Sequence, residues 1–272
     1  MNVLVSIIVP AYNHAQFIGE TLASVLNQSY SDWECVVVDN GSTDSTKDVI
    51  QKFVERDKRF KYIYTANKGV SAARNLAIRN SSGKYILPLD SDDKIGSDYL
   101  QEAVAVLERD LSIKVVYCEA ELFGDAQGKW MLPEYSFEGM LKENLIFCSA
   151  FFRKSDFEKS SGYNEQMVTG FEDWDFWLEL LSDRGAVYRI PQVLFYYRIR
   201  KSSRNNSLDR KAQVELRKLI YNRHKNLYDQ YLPFPELWFQ WYEQKEWIKQ
   251  ITVSKGYKIG KFLTSLFRKL KK

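Results

Sequence analysis

Tyr85-Ile86-Leu87-Pro88-Leu89-Asp90-Ser91-Asp92-Asp93 is an apolar run that stops on three carboxylates within four residues. The run predicts a buried strand, and in open α/β sheets ligands bind beyond the carboxyl ends of the strands. Carboxylates this close repel one another unless a cation lies among them, and such hard oxygen ligands suit Mg²⁺ or Mn²⁺. The stretch therefore predicts a metal and phosphate site. The alternative is an Asp-rich turn that caps a helix over residues 97–107.

Strands and helices alternate through the first half of the chain. Apolar runs predict strands over residues 3–9, 34–38, 62–64 and 84–89, and helical spacing of apolar residues predicts helices over 17–27, 45–55 and 70–79. This alternation predicts an α/β fold with a mostly parallel central sheet and helices on both faces. Further along we predict a strand over 114–119, a helix over 171–181 and a strand over 187–197 that Pro191 interrupts, whereas residues 130–152 give no clear pattern.

Charge is distributed unevenly along the 272 residues. Residues 1–200 contain 22 Lys and Arg against 29 Asp and Glu, whereas residues 201–272 contain 17 against 6. A basic tail on an acidic body indicates contact with an anionic surface. The three cysteines, Cys35, Cys118 and Cys148, have no CxxC spacing, and the N-terminus lacks a signal-peptide pattern. The sequence therefore predicts a cytoplasmic protein.

Two further positions have residue types that suit a nucleotide. Asp39 ends a predicted strand and is followed by Gly41-Ser42-Thr43, a turn that offers amides and a carboxylate to a nucleoside. Arg74, at the start of a helix of small residues, would reach a phosphate or a base. The alternatives are an ordinary strand-end Asp and a surface Arg.

A second acidic group lies at Gly170-Phe171-Glu172-Asp173-Trp174-Asp175-Phe176-Trp177. Acids at a helix N-terminus are favoured by the helix dipole, which explains the carboxylates and leaves the tryptophans unexplained. A carboxylate beside indole faces suits sugar recognition, because a sugar stacks on an aromatic ring while its hydroxyl loses a proton to a base. The only histidines are His14 and His224, and Walker A and GxGxxG motifs are absent, so a His-rich zinc site and a Ser-His-Asp triad are disfavoured.

The motifs together resemble the family 2 glycosyltransferases, which have a GT-A fold. The resemblance rests on residues 5–13 (VSIIVPAYN), 37–44 (VVDNGSTD), 67–69 (NKG), 73–75 (ARN) and 89–93 (LDSDD), in that order. The Glu172-Asp173 pair falls where the family has its base motif, so the resemblance covers about residues 3–200.

The resemblance implies a role for each matching residue. Asp173 would be the base that deprotonates the acceptor, with Glu172 assisting in acceptor binding, and the reaction would invert configuration. Asp93 would be an additional contact. The residues implied to hold the nucleotide are Pro10, Ala11, Tyr12, Asp39 and Arg74 for the nucleoside, usually uridine, and Asp90, Ser91 and Asp92 as a DxD element, in which Asp90 and Asp92 meet the ribose and the Mn²⁺ or Mg²⁺ on the diphosphate.

The chain departs from the family pattern at two positions. Asn40 stands where many relatives have a second acid. Arg200 stands where the family often has a His near the metal, and a guanidinium would neutralise diphosphate directly, together with Arg198 and Lys201. We predict that the basic loop over residues 198–204 closes over the donor.

We predict two domains. Residues 1–205 form the GT-A domain, with a nucleotide-sugar half over 1–110 and an acceptor half over 111–205. Residues 206–272 form a helical, aromatic and basic extension, and apolar residues at helical spacing over 259–270 predict an amphipathic helix. This helix suits an anionic membrane surface, so that the protein would be peripheral on the cytoplasmic face. The alternative is that the helix packs on its own domain.

The sequence thus predicts an inverting, metal-dependent glycosyltransferase. It would move a sugar from a nucleotide-sugar, a UDP-sugar, to a glycan or lipid-linked acceptor in cell-surface polysaccharide synthesis. The alternatives are a sugar nucleotidyltransferase, disfavoured because residues 10–13 replace the Gly-rich loop of such enzymes, and an inactive relative that acts as a binding module. Nucleic acid is not expected as a partner, because the body is acidic and no recognisable motif is present.

Overall fold

The computed structural model describes residues 4–200 and 210–232, together with residues 240, 244 and 259. The chain divides into two compact units, Met1–Ser207 and Leu208–Lys272. The predicted boundary at 205 and the two predicted halves of the first domain stay predictions. Apart from residue 259, the amphipathic helix predicted over 259–270 lies outside the described residues, as do residues 201–204 of the predicted basic loop.

Nine strands of the described chain form one sheet. The strands are β1 (Val5–Ala11), β2 (Trp33–Asp39), β3 (Phe60–Tyr64), β4 (Tyr85–Pro88), β5 (Lys94–Ile95), β6 (Ile113–Gly124), β7 (Gly128–Trp130), β8 (Phe151–Arg153) and β9 (Ala186–Ile199). The helices are α1 (Ile18–Leu26), α2 (Thr46–Arg56), α3 (Val70–Arg79), α4 (Tyr99–Arg109), α5 (Phe137–Met140), α6 (Lys154–Lys159) and α7 (Glu172–Leu180) in the first unit, and α8 (Arg210–Arg223) and α9 (Lys225–Tyr231) in the second.

The strand order is β3-β2-β1-β4-β8-β6-β9-β5, with β7 paired to β6. The first four strands in this order are parallel, as predicted, and every residue of β1 and β2 is buried, because helices cover both faces of such a sheet. Beyond β4 the sheet is mixed, since β8 runs antiparallel to both β4 and β6. This short strand overlaps residues 130–152, for which no clear pattern is predicted.

The parallel half of the sheet brings the predicted motifs to one edge. Ala11 pairs with Asp39, and Ile8 pairs with Pro88, so the residues that follow β1, β2 and β4 emerge side by side. The acidic stretch does not cap the next helix, because β5 intervenes and α4 begins after Asp98. The capping alternative is therefore wrong.

Pro191 does not end the last strand. β9 runs without a break from Ala186 to Ile199 beside β6, and the pairing steps from Cys118↔Ile190 to Glu119↔Val193. The extra residues form a bulge, which takes up a proline that could not donate to the ladder. Among the described residues, no helix combines the length and apolar character needed to cross a membrane.

Candidate active site

Asp39 is fixed at the carboxyl end of β2. Its Oδ1 accepts from the Ser42 backbone N–H at 2.9 Å, and its Oδ2 accepts from the Tyr62 hydroxyl at 3.0 Å. Pro10 and Ala11 are buried in the neighbouring β1, whereas Tyr12, directly after it, is 46% exposed. The carboxyl ends of β1 and β2 therefore provide the exposed ring of Tyr12 and the carboxylate of Asp39, which two hydrogen bonds fix in place.

Asn40 organises the turn beside it in a way that a second acid could not. Its Nδ2 donates to Asn67 Oδ1 at 3.1 Å, while its Oδ1 accepts from the Lys68 backbone N–H at 3.1 Å. A carboxylate has no donor for the first of these bonds. Gly41 follows with a φ of 84°, and a Cβ there would lie 3.0 Å from the Asn67 nitrogen, so any other residue would be strained.

Arg74 lies between two carboxylates. Its Nη2 donates to Asp90 Oδ1 at 2.6 Å, and its Nη1 donates to Glu172 Oε1 at 3.0 Å. The arginine is 1% exposed, and its guanidinium lies 5.3 Å from the Tyr163 ring centre. This placement corrects the alternative of a surface Arg, because the charge is enclosed and used by two acids. The nucleoside contact implied for Arg74 stays untested, and the ion pairs favour a role in holding the carboxylates.

Arg200 occupies the other side of the acidic stretch. Its Nη2 lies 2.6 Å from Asp92 Oδ2 and 3.4 Å from His14 Nε2. His14 Nδ1 in turn lies 2.7 Å from the Ser91 hydroxyl. Burial lowers the pKa of His14, so the ring is neutral near pH 7 and can exchange hydrogen bonds with both neighbours. Asp90 is thus paired with Arg74, and Asp92 with Arg200.

Asp93 points away from the cavity edge. It is 1% exposed, and its Oδ1 accepts from the Arg198 backbone N–H at 2.8 Å, while Oδ2 has no hydrogen-bond partner in the described chain. Burial raises the pKa of Asp93 well above its ordinary value, and the Asp92 and Asp90 charges raise it further. Asp93 therefore suits a structural carboxyl group at the back of the site better than the additional ligand contact that the resemblance implies.

The residues present fit a divalent cation that also binds diphosphate. Burial, with the Asp90 charge next, raises the pKa of Asp92, which a bound cation would reverse. Among the described residues no group of three or more His, Cys, Asp or Glu side chains is placed to hold a metal ion. Mg²⁺ and similar ions commonly take one or two protein carboxylates and complete their shell with substrate phosphates, and Asp90 and Asp92 match that pattern.

Helix α7 carries the second acidic group and begins at a strained turn. Gly170 has a φ of 146° and Phe171 has a φ of 63°, a conformation uncommon for a residue with a side chain. Directly after this turn, Glu172 is buried and Asp173 is half-buried. Burial, and next the Glu172 charge, raise the pKa of Asp173 to about 6, with Arg74 acting in the opposite direction. A carboxyl group with such a pKa is suited to take a proton at neutral pH.

A cavity of about 520 Å³ adjoins both acidic groups. Trp130 stands in its wall, with its ring centre 4.9 Å from that of Tyr197 and 5.9 Å from that of Phe147. The lining residues are Asp90, Leu122, Trp130, Leu132, Asn144, Ile146, Phe147, Cys148, Gly170, Phe171, Glu172, Asp173, Phe195, Tyr197, Ile199 and Arg200. The cavity thus places aromatic faces on one side and Asp173 on another.

The tryptophans next to Asp173 in sequence do not face this cavity. Trp174 and Trp177 are 1% and 0% exposed, and Trp174 Nε1 donates to the Met140 carbonyl at 2.6 Å. The expectation that they stack on a sugar is wrong, because both belong to the core. Of the tryptophans that the structure describes, Trp130 is the one that lines the cavity.

Sequence reasoning missed three polar neighbours of the site. His14, which directly follows the first motif, lies 2.7 Å from the Ser91 hydroxyl and has no partner predicted from sequence. Asn144 donates to Asp173 Oδ2 at 2.9 Å, and the Cys148 thiol lies 3.4 Å from Asp90 Oδ2. Both come from the stretch without a clear pattern, so only their placement in three dimensions reveals them.

Residues 6–161 match the family model described as "Glycosyl transferase family 2". The chain belongs to glycosyl transferase family 2. This match confirms the resemblance that the motifs indicate. It also confirms that the protein is a glycosyltransferase.

Three named proteins are similar in sequence to this glycosyltransferase. TuaG of Bacillus subtilis (strain 168), assigned by its name to teichuronic acid biosynthesis, is 32% identical over 74% of this chain and 81% of its own. Chondroitin synthase of Escherichia coli is 32% identical over 71% of this chain, which spans 28% of that protein. GlyA of Streptococcus pneumoniae is 32% identical over 82% of this chain, which spans 30% of that protein.

Solved structures share the fold of this glycosyltransferase. S. aureus TarS in complex with UDP-GlcNAc superposes with a TM-score of 0.68 and 22% identity, over 80% of this chain and 65% of that chain. The mannosyltransferase PcManGT from Pyrobaculum calidifontis, solved with GDP-Man and Mn²⁺, gives a TM-score of 0.60 and 18% identity, over 96% and 84%. The predicted GT-A fold is confirmed.

Proposed function

We propose that the enzyme transfers a sugar, with inversion, from a UDP-sugar to a hydroxyl group of a saccharide acceptor. The observation that carries this proposal is that Asp173, with its pKa near 6, lines the same cavity as Asp90 and Arg200. A base and a group of charged residues suited to diphosphate thus face a common space. Inverting transfer needs both and no enzyme nucleophile.

The donor would bind at the carboxyl ends of β1, β2 and β4. Tyr12 would stack on the base, Asp39 would accept hydrogen bonds from the uracil or ribose, and Asp90, Ser91 and Asp92 would meet the ribose and diphosphate. Bound UDP-GlcNAc and UDP in TarS, and GDP-Man in PcManGT, support a nucleotide-sugar donor on this fold.

Asp92 and Asp90 would hold Mn²⁺ or Mg²⁺ together with the diphosphate. When bound, the cation supplies positive charge that stabilises the leaving diphosphate. Arg200 would then move its guanidinium from Asp92 to the phosphate oxygens, because arginine binds phosphate with two parallel hydrogen bonds. Arg198, whose Nε donates to the Asp92 carbonyl at 2.8 Å, would keep the end of β9 against the acidic stretch.

Asp173 would act on the acceptor. It takes the proton of the acceptor hydroxyl while that oxygen forms a bond to the anomeric carbon, and the bond from this carbon to the diphosphate oxygen breaks with its electron pair. A positioned general base contributes typically about 10²- to 10⁴-fold. Glu172 is buried and paired with Arg74, so its contribution to acceptor binding would be indirect.

The acceptor would be a glycan or a lipid-linked saccharide in cell-surface polysaccharide synthesis. Teichuronic acid biosynthesis and chondroitin synthase in the names of relatives support this class. A cytoplasmic protein held at the membrane surface by the basic residues of 206–272 would be placed to meet such an acceptor.

The testing experiment measures UDP release from a panel of UDP-sugars with and without Mn²⁺ or Mg²⁺, and in parallel from GDP-mannose as GDP. We expect metal-dependent release from one donor, lost in Asp92→Asn and in Asp173→Asn. Pyrophosphate formation from a sugar phosphate and UTP would indicate a nucleotidyltransferase instead. Absence of metal-dependent nucleotide binding would indicate the inactive relative.

A further inference from the structure

Asn144 contacts the proposed base directly. Its Nδ2 donates to Asp173 Oδ2 at 2.9 Å, and the other carboxylate oxygen, Oδ1, accepts from the Trp174 backbone N–H at 2.8 Å. Both Asn144 and Asp173 line the cavity. Each oxygen of the carboxylate therefore has one fixed donor, which leaves the remaining lone pairs available to a hydroxyl group in the cavity.

The orientation of the Asn144 amide is set by the backbone of its own loop. Its Oδ1 accepts from the Ile146 backbone N–H at 3.3 Å. Because the oxygen is held in this turn, the NH₂ group is the end that faces Asp173. An amide free to turn over would offer either its oxygen or its nitrogen, and only the nitrogen attracts a carboxylate.

The loop that carries Asn144 is tied to the helix that carries Asp173. The Trp174 indole donates to the Met140 carbonyl at 2.6 Å, and Leu145, Ile146 and Phe147 are buried. Trp174, the residue after Asp173, thus anchors the chain at Met140, four residues before Asn144. A base held between its own helix and an anchored loop keeps one rotamer.

We propose that Asn144 is a positioning residue that holds the Asp173 carboxylate in one orientation toward the acceptor. This inference rests on the proposed function, because it assigns a task only if Asp173 is the base. Other residues are proposed to hold the nucleotide, so loss of the Asn144 amide should change the chemical step and leave nucleotide binding intact. A misplacement of a reacting group by about 1 Å costs about 10²-fold in rate.

Several charged or titratable groups face Asp173 and set the background for its titration. Glu172 precedes it on α7, Arg74 comes from α3, and the remaining groups are Cys148, Tyr163, Asp90 and Arg200. Asn144 adds a donor that favours the ionised form. Removing this donor while keeping the other groups should therefore raise the apparent pKa of the base.

Asn144→Asp is the test variant, because it replaces the donating NH₂ group with a charged oxygen that repels the Asp173 carboxylate, and it keeps the acceptor for the Ile146 N–H. The matched control is Asn164→Asp, since Asn164 Oδ1 accepts from the Gln166 N–H at 3.0 Å in a similar turn that does not line the cavity. UDP release is measured across pH for the wild-type enzyme, for both variants and for Asp173→Asn. In the proteins that keep Asp173, the ¹³C chemical shift of its carboxyl group is also followed across pH, without substrate.

In Asn144→Asp we expect the acidic limb of kcat/KM and the ¹³C titration to move up by about one pH unit. We also expect the plateau kcat to fall about tenfold, with unchanged UDP affinity. Asn164→Asp should match the wild-type enzyme. A wild-type pH profile and titration in Asn144→Asp, with Asp173→Asn inactive, would overturn this inference alone. Turnover retained by Asp173→Asn would overturn the base assignment and this inference with it.

Discussion

Arg74 Nη1 and Glu172 Oε1 lie 3.0 Å apart and join helix α3 to helix α7. The same guanidinium binds Asp90 through Nη2, so one buried cation links the acidic stretch after β4 to the helix that carries Asp173. Removing one partner of a buried ion pair leaves an uncompensated buried charge. The loss of folding stability is then much larger than for an ion pair exposed to solvent. Arg74 thus links Asp90, in the proposed donor site, to the helix that carries the proposed base.

Arg74→Met tests this link. We expect the free energy of unfolding to fall by about 3–5 kcal/mol, because Glu172 and Asp90 would lose their shared cation. Urea denaturation followed by circular dichroism measures the change. Arg79→Met is the control, since Arg79 lies on the same helix and is exposed. Equal midpoints for the two variants would contradict the prediction.

Asp173→Asn should stabilise the protein in a pH-dependent way. The pKa of Asp173 is about 6 in the folded protein against an ordinary value of 3.8, so folding disfavours the ionised form. The resulting penalty is present above pH 6 and disappears below about pH 4, where the group is protonated in both states. We expect Asn at this position to raise the free energy of unfolding by about 1–2 kcal/mol at pH 8 and not at pH 3.5. A difference that did not vary with pH would contradict this.

Arg200→Ala separates the two partners proposed for Asp92. We expect UDP affinity with Mn²⁺ to fall at least about tenfold, because a charge-assisted contact to diphosphate is lost. Mn²⁺ binding without nucleotide should become tighter, since Asp92 loses its competing guanidinium. Titration calorimetry measures both, with Arg109→Ala, an exposed residue at the end of α4, as the control. UDP affinity equal to that of the control would show that Arg200 does not reach the diphosphate.

Tyr62→Phe tests whether Asp39 must be held in place. The variant removes the hydroxyl that donates to Asp39 Oδ2 and leaves the ring. We expect UDP to bind about 10- to 100-fold more weakly, because one hydrogen bond to a charged group is worth about 1.5–3 kcal/mol. Tyr64→Phe, on an exposed tyrosine of the same strand, should bind UDP like the wild-type enzyme. The prediction fails if the two variants bind UDP equally.

The parallel half of the fold could be read from the sequence because its strands are buried on both faces and appear as continuous apolar runs. The polar motifs follow those runs directly, so Asp39 and Asp90 were found without knowing the fold. β8 was missed because three residues carry no periodicity, and it lies in a sheet region whose direction is set by tertiary packing.

The site was predictable only where its residues cluster along the chain. Asp173 could be predicted because it lies beside Glu172 in a recognisable motif. Arg74, the partner of Glu172, lies 98 positions away in sequence and could not be assigned to it. Asn144 has no neighbouring motif to mark it. The prediction that Trp174 and Trp177 contact a sugar was wrong because the sequence does not show which rings are buried. In the structure Trp174 lies in the core and Trp130 lines the cavity.

The Cys148 thiol beside Asp90 has a chemical consequence for handling the enzyme. Burial, and next the Asp90 charge, raise the pKa of this thiol well above its ordinary value, so the reactive thiolate is almost absent at neutral pH. Burial also raises the pKa of Cys118 to about 12 and that of Cys35 beyond the usual range. Although the Cys148 thiol is partly exposed and lines the cavity, it should therefore react slowly with alkylating reagents, and the enzyme should keep its activity in buffers without a reducing agent.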